Sequence, residues 1–329
     1  MSEHKTRAII KHKFVTDLDK IKVSEVDRPI PNSDEYLIQV KAAGVNFVDI
    51  LYVKGKHQNN RALVRPPFVL GLEFAGVILS APPHAHFLAG ERVFGAFPGS
   101  YSETLPEAAG IAATLPVSYA SLLRAGLKPG QTVLVHAAAG GLGLMAVQVA
   151  TAMGCRAIGT AGSWEKCAVA AEFGAQPCLN YTQEPAWWER VLELTEHKGV
   201  DVVFDPVGLV DRSLKCIAHR GKVLVIGFAG IDDKMEHIAM NRVLLKQASL
   251  IGYRYGESLR RYPGEQKMIW DELHSLIESN KIQPAIFRTS YHGPDQVPRA
   301  LKDMANRKIW GKAVVTLDSS MEGTSRARI

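Results

Sequence analysis

The chain has 329 residues, 47% hydrophobic and 22% charged, which suits an ordinary globular protein with room for two domains. No run of about 18 apolar residues occurs and residues 1–5 carry no apolar signal region, so neither a membrane span nor secretion is expected. The net charge of +6 suits an anionic ligand, but no dense basic block with interleaved aromatics is present, so nucleic acid is not an expected partner.

Up to about residue 118, short apolar segments such as 36–42 and 74–79 are broken by Pro, Gly and Asp, the pattern of a β-rich domain. His84 and His86 follow Ala81-Pro82-Pro83 and read as a surface loop. From residue 133 the pattern changes to alternating strand and helix. Strand 133–136 runs through a glycine cluster, Gly140-Gly141-Leu142-Gly143, into an apolar helix over 142–153. Strand 156–160, helix 163–173, a short strand 178–180 and a helix over 185–197 follow. Strands 201–205, 222–227 and 249–252 close the series, so the middle reads as a doubly wound parallel α/β sheet. Trp187-Trp188 reads as core packing. A helix over 265–279 and a strand over 311–317 end the chain, and this last strand is expected to rejoin the N-terminal domain. The expected domains are 1–118, 119–254 and a return over 255–329.

The glycine cluster is the strongest single signal. A helix N-terminus offers free N–H groups and a positive dipole end to a pyrophosphate, and glycines let the phosphate approach. NAD-selective sites carry an acidic residue after the second strand. Here that strand ends Ile158-Gly159-Thr160-Ala161-Gly162-Ser163, with no acid. Ser163 can donate a hydrogen bond to a 2′-phosphate and Lys166 brings a positive charge, which favours NADPH over NADH. Ser163 can equally cap the helix, with Lys166 on a solvated face. No histidine pairs with Cys or another His at ligand spacing, so no metal is expected. His136, at the end of an apolar strand, reads as a satisfied core histidine. The four cysteines, Cys155, Cys167, Cys178 and Cys216, form no Cys-x-x-Cys pair, which suits a reducing, cytoplasmic setting. The terminal Ala327-Arg328-Ile329 loosely resembles a peroxisomal address, although a frayed polar tail explains it more simply.

Several stretches together resemble the zinc-free quinone oxidoreductase branch of the medium-chain dehydrogenase/reductase superfamily. They are Gly44-Val45-Asn46-Phe47-Val48-Asp49-Ile50, Pro67-Phe68-Val69-Leu70-Gly71-Leu72-Glu73-Phe74-Ala75-Gly76, Gly126-Leu127-Lys128-Pro129-Gly130, the cluster at 136–143, Asp205-Pro206-Val207-Gly208, Gly227-Phe228-Ala229-Gly230 and Gly311-Lys312. The resemblance implies a GroES-like catalytic domain, built from both chain ends, around a Rossmann domain. Zinc-dependent relatives carry Cys where this chain has Asn46 and His where it has Leu72. The resemblance assigns Gly140, Gly141, Leu142 and Gly143 to the pyrophosphate, and Ser163, Lys166 and Tyr181 to the adenosine 2′-phosphate. It assigns Val207, Gly208, Gly227, Phe228 and Ala229 to the cofactor cleft, and Asn46 and Asp49 to the nicotinamide and substrate side. It also suggests a homodimer through the edge of the Rossmann domain near 248–253. One departure is an apparent shortening of the catalytic domain near 103–107, where Gly99-Ser100-Tyr101-Ser102-Glu103 runs almost directly into Thr104-Leu105-Pro106-Glu107.

The implied activity is hydride transfer from NADPH to a quinone or an α,β-unsaturated carbonyl, both small-molecule substrates. Asn46 is expected to donate from its amide, and Tyr52 and His57 are candidate proton donors on the same loop. Tyr52 can equally be a packed aromatic and His57 a surface residue, and Asp49 can hold the loop by accepting N–H groups. The alternatives are an enoyl-thioester or secondary-metabolite enone reductase, and a catalytically impaired NADPH-binding protein.

Overall fold

The computed structural model describes residues 5–57, 64–96, 108–230 and 236–317. In chain order the N-terminal part carries β1 (Leu37–Val45), α1 (Phe47–Lys54), β2 (Glu73–Ser80) and β3 (Arg92–Ala96). The middle carries α2 (Leu115–Arg124), β4 (Thr132–Val135), α3 (Gly141–Ala152), β5 (Arg156–Ala161), α4 (Trp164–Glu172), β6 (Ala175–Asn180), α5 (Trp187–Leu194), β7 (Val200–Asp205), β8 (Ile217–Val225), α6 (Met240–Lys246), β9 (Ser249–Gly252), α7 (Tyr255–Arg261) and α8 (Gly264–Glu278). The C-terminal part adds β10 (Tyr291–His292), α9 (Val297–Ala305) and β11 (Ala313–Thr316).

Two compact units result, one of residues 114–283 and one built from the chain up to Ala113 and from Pro284 onward. In the first, six parallel strands lie in the order β6-β5-β4-β7-β8-β9. The order reverses between β4 and β7, and this switch point is where doubly wound sheets bind ligands. Strand β4 reads as a continuous apolar run because both faces are covered: Val133, Leu134 and Val135 are fully buried. Helix α3 is apolar nearly all round for the same reason, with Gly143 to Ala150 buried.

The second unit has a mixed five-stranded sheet in the order β10-β11-β1-β2-β3. The last strand does rejoin the N-terminal part: β11 pairs antiparallel with β1, Val314 opposite Gly44 and Val315 opposite Ala43. Its core gathers Val45, Ile50 and Val53 with Leu301 and Val315 from the chain's other end.

Three expectations change. The return begins later than residue 255, because α7 and α8 pack on α2 and Leu273 is fully buried there. Gln283 is tied to α3 by a reciprocal pair with Gln148, at 2.8 and 3.1 Å. The segment after Asn46 is a helix, α1, where a loop was expected. Asn46 N–H donates to Asp49 Oδ2 at 2.9 Å across its first turn, and Gly55 ends it in the left-handed conformation. The helix expected over 185–197 is shorter, because Glu196 and His197 both have positive φ. The shortening near 103–107 and the terminal Ala327-Arg328-Ile329 lie outside the described residues. Among the described residues, no helix is long and apolar enough to cross a membrane.

Candidate functional site

In the sheet unit, β4 delivers the chain into a tight turn at the switch point. Gly140 N–H returns to Ala137 O at 2.8 Å, and Gly140 is the N-cap of α3. A Cβ on Gly143 would run into the carbonyl oxygen of Ala137 and lie 2.8 Å from Ala138 Cα. Only glycine lets the helix start this close to the strand it follows. Gly141, Leu142 and Gly143 therefore present first-turn N–H groups that the helix itself does not use. This cradle fits a pyrophosphate by its donors and its dipole.

Beneath the turn lies a buried polar layer. His136 is fully buried, with Nδ1 2.9 Å from Thr160 Oγ1 and Nε2 2.8 Å from Ser213 Oγ. Trp187 packs edge-on against its ring at 4.8 Å. His136 and Trp187 thus take the core roles expected of them. Burial pushes the His136 imidazole below its ordinary value, opposed by the charge of Asp205. The sign follows directly. The folded chain keeps this ring neutral, whereas the unfolded chain takes up a proton below about pH 6.5, so stability falls as the pH drops through that value. The melting-temperature gap between wild type and His136→Gln should be constant above pH 7 and shrink towards pH 5. A pH-independent gap counts against this.

The three residues assigned to the 2′-phosphate come together at the ends of β5 and β6. Ser163 caps α4, its Oγ accepting from Lys166 N–H at 3.2 Å. The Tyr181 hydroxyl lies over Gly162, where a Cβ would fall 2.7 Å away, and Tyr181 N–H donates to Ala161 O at 3.0 Å. The capping role of Ser163 leaves its hydroxyl hydrogen available as a donor.

The loops after β7 and β8 are also joined. Ala229 N–H donates to Pro206 O at 3.1 Å and Gly230 N–H to Val207 O at 3.0 Å. Asp205, fully buried, holds the first of these loops. Its Oδ1 accepts from Val207 and Gly208 at 2.9 and 2.8 Å, and its Oδ2 from Leu209 at 2.6 Å. Val207, Gly208, Gly227, Phe228 and Ala229 thus form one connected rim at the carboxyl ends of β7 and β8.

In the other unit, Asn46 and Asp49 sit in a buried polar cluster. Lys312 Nζ donates to Asn46 Oδ1 at 2.6 Å and pairs with Glu73 Oε2 at 2.6 Å. Asn46 Nδ2 donates to Glu73 Oε2 and to Gly44 O, each at 3.1 Å. Glu73 Oε1 accepts from Ala113 N–H at 2.8 Å. The amide donor expected to serve a substrate is thus engaged by the protein itself. Tyr52 lies in the last turn of α1, its ring 4.9 Å from that of His57. Asp205, Glu73 and Lys312 went unassigned in the sequence. All three stand in the motifs that carry the resemblance, a signal of their place that gives no role to the charge. Among the described residues, no group of three His, Cys, Asp or Glu side chains is arranged to hold a metal ion.

A parallel sheet with a glycine turn at its switch point, in a chain that also carries a second unit closed by both chain ends, defines a dinucleotide-dependent oxidoreductase. Residues 32–109 match the family model described as an alcohol dehydrogenase GroES-like domain, and residues 141–275 match that described as a zinc-binding dehydrogenase. The chain is 33% identical over 313 residues to quinone oxidoreductase-like protein 2 of Bos taurus, covering 88% of this chain and 87% of that one. It is 30% identical over 320 residues to prostaglandin reductase-3 of Mus musculus, covering 88% and 83%. The crystal structure of Escherichia coli quinone oxidoreductase complexed with NADPH superposes with a TM-score of 0.78 at 28% identity, over 94% of this chain and all of that one. The chain belongs to the quinone oxidoreductase branch of the medium-chain dehydrogenase/reductase superfamily.

Proposed function

We propose that the protein is an NADPH-dependent reductase of quinones or α,β-unsaturated carbonyl compounds that works without zinc. The observation that carries this reading is the complete cradle of the sheet unit. The glycine turn, the Ser163–Lys166–Tyr181 corner and the rim held by Asp205 all lie at carboxyl ends of the parallel strands. Bound NADPH supplies the hydride. The N–H groups of Gly141, Leu142 and Gly143 hold the pyrophosphate, while Ser163, Lys166 and Tyr181 hold the 2′-phosphate. Val207, Gly208, Gly227, Phe228 and Ala229 orient the nicotinamide end. Asn46, its amide held by Glu73, Gly44 and Lys312, lines the acceptor side with Asp49 and Tyr52, and the Tyr52 hydroxyl or a water delivers the proton. The zinc-free reading is supported by Asn46 and Leu72 at two ligand positions of the zinc-dependent relatives. Lys312, beside Glu73, already supplies a positive charge there. The likeness to prostaglandin reductase-3 supports a reductase whose acceptor need not be a quinone.

NADPH oxidation followed at 340 nm with 1,4-benzoquinone, 9,10-phenanthrenequinone and a simple enone, with EDTA present, tests the reading. Turnover insensitive to EDTA supports it. Tight NADPH binding with no turnover of any acceptor supports a catalytically impaired binding protein instead. Lys166→Ala should raise the KM for NADPH about tenfold and leave that for NADH unchanged, as expected for a lost charge-assisted bond to phosphate. Equal effects on both cofactors would remove Lys166 from the 2′-phosphate.

A homodimer completes the proposal, and a cytoplasmic setting goes with it. Strand β9 is the open edge of the six-stranded sheet, and beside it α6 exposes Met240, Leu244 and Leu245 at 62, 77 and 74%. A strand with one edge open among the described residues, close in the chain to apolar exposed side chains, suits a second copy across a two-fold axis. A monomer by light scattering at micromolar concentration would count against it.

A further inference from the structure

The geometry points to Glu73 and Lys312 as positioning residues: their buried ion pair holds the Asn46 side-chain amide in one orientation and thereby supports turnover. This rests on the reading of the Asn46 cluster as acceptor-side machinery. The chemistry of the three groups permits one arrangement only. An ammonium group can only donate and an ionised carboxylate can only accept, whereas an amide does both. Lys312 Nζ therefore faces Asn46 Oδ1 at 2.6 Å, and Glu73 Oε2 faces Asn46 Nδ2 at 3.1 Å. A flipped amide would set donor against donor and acceptor against acceptor. Space for the carboxylate is made by Gly44, where a Cβ would fall 2.6 Å from Glu73 Oε2. The same Asn46 opens α1 through its main-chain bond to Asp49, so the lock also sets the start of the helix that carries Tyr52.

Holding the sheet together does not require these charges. The main chain of Lys312 is already anchored, donating to Ala285 O and accepting from Phe287 N–H, both at 2.8 Å. Lys312 and Glu73 are 2 and 0% exposed, and an ion pair this dry is commonly replaced by apolar residues without loss of stability. Removing one partner leaves the other charge buried alone, which is why single and paired substitutions give different information.

The test compares wild type with Glu73→Gln, Lys312→Met and the double variant. Melting temperature, Kd for NADPH, kcat and KM for the quinone are measured, together with the NMR signal of the Asn46 side-chain amide, assigned by its loss in Asn46→Ala. Lys312→Met should melt lower than wild type, and the double variant should recover most of that loss. Its kcat should stay roughly tenfold to a hundredfold below wild type, the scale of a misplaced group in an active site. Its Kd for NADPH should be unchanged, and its Asn46 amide signal should move and exchange faster with water. A double variant with both melting temperature and kcat at wild-type values overturns the inference. Should the double variant not fold, Glu73→Gln alone, which keeps the shape and removes one charge, is judged on the same measurements. If wild type turns over no acceptor, the reductase reading fails and the amide signal decides. An unchanged amide then overturns the positioning role, and a shifted, faster-exchanging one supports it.

Discussion

A Gly143→Ala variant melts roughly 10 °C below wild type and loses the stabilisation that NADPH confers. The added methyl group meets backbone on the strand side, where the Ala137 carbonyl oxygen stands in its path and Ala138 Cα lies 2.8 Å away. Neither atom can rotate aside as a side chain would, so helix α3 must lift away from the turn. Overpacking of this kind costs about 3 kcal/mol when the obstruction is rigid. The same movement displaces the first-turn N–H groups from the pyrophosphate, so stability and cofactor binding fall together. Thermal melts with and without NADPH measure both losses. A variant that melts normally and still responds to NADPH would show that the turn has slack the geometry does not reveal.

Asp205→Ala is expected to be comparably severe, for an electrostatic reason. One carboxylate satisfies three main-chain N–H groups, those of Val207, Gly208 and Leu209. Removing it leaves buried or half-buried donors without a partner, at about 1–3 kcal/mol for each fully buried group. The loop also carries the Pro206 and Val207 carbonyls that hold Ala229 and Gly230, so the whole rim loosens. The expected result is a Kd for NADPH raised at least tenfold, together with a lower melting temperature. Asp205→Asn should fall between, because its amide oxygen can still accept from Val207 and Gly208 while its NH2 group faces Leu209 N–H. A Kd equal to wild type in Asp205→Ala would detach the loop from cofactor binding.

The sheet unit was the more legible half of this chain, and the reason is physical. The inner strands β4 and β7 are buried on both faces, so they appear as apolar runs such as Thr132-Val133-Leu134-Val135. The first two helices of this unit's strand–helix series start at residues with a recognisable task, Gly140 for α3 and Ser163 for α4. The other unit gave fewer signals. Its long strands β1 and β2 are only partly buried and pair with shifts of register, and β11 lies far along the chain from the β1 it joins. Helix α1 was hidden because its β-branched and aromatic residues, Phe47 to Val53, suit a strand as well as a helix. What decides it is the bond from Asn46 N–H to Asp49, a contact that no periodicity announces. The Asn46 cluster shows the same limit from another side. The motifs containing Glu73 and Lys312 were visible, but these residues stand 239 positions apart, as 312 minus 73, and only the fold brings their charges together.

The pairing of β11 with β1 also sets an order of events during synthesis. Val45 and its partner Ala313 are separated by 268 positions, as 313 minus 45. A ribosome adding about 5–20 residues per second needs roughly 13 to 54 seconds to cover that interval. The strands of the sheet unit, β4 to β9, are all made within this delay. The edge of β1 that β11 will cover meanwhile waits for its partner on a growing chain. A nascent polypeptide of this kind gains from a chaperone that shields one half-built sheet while the central one closes.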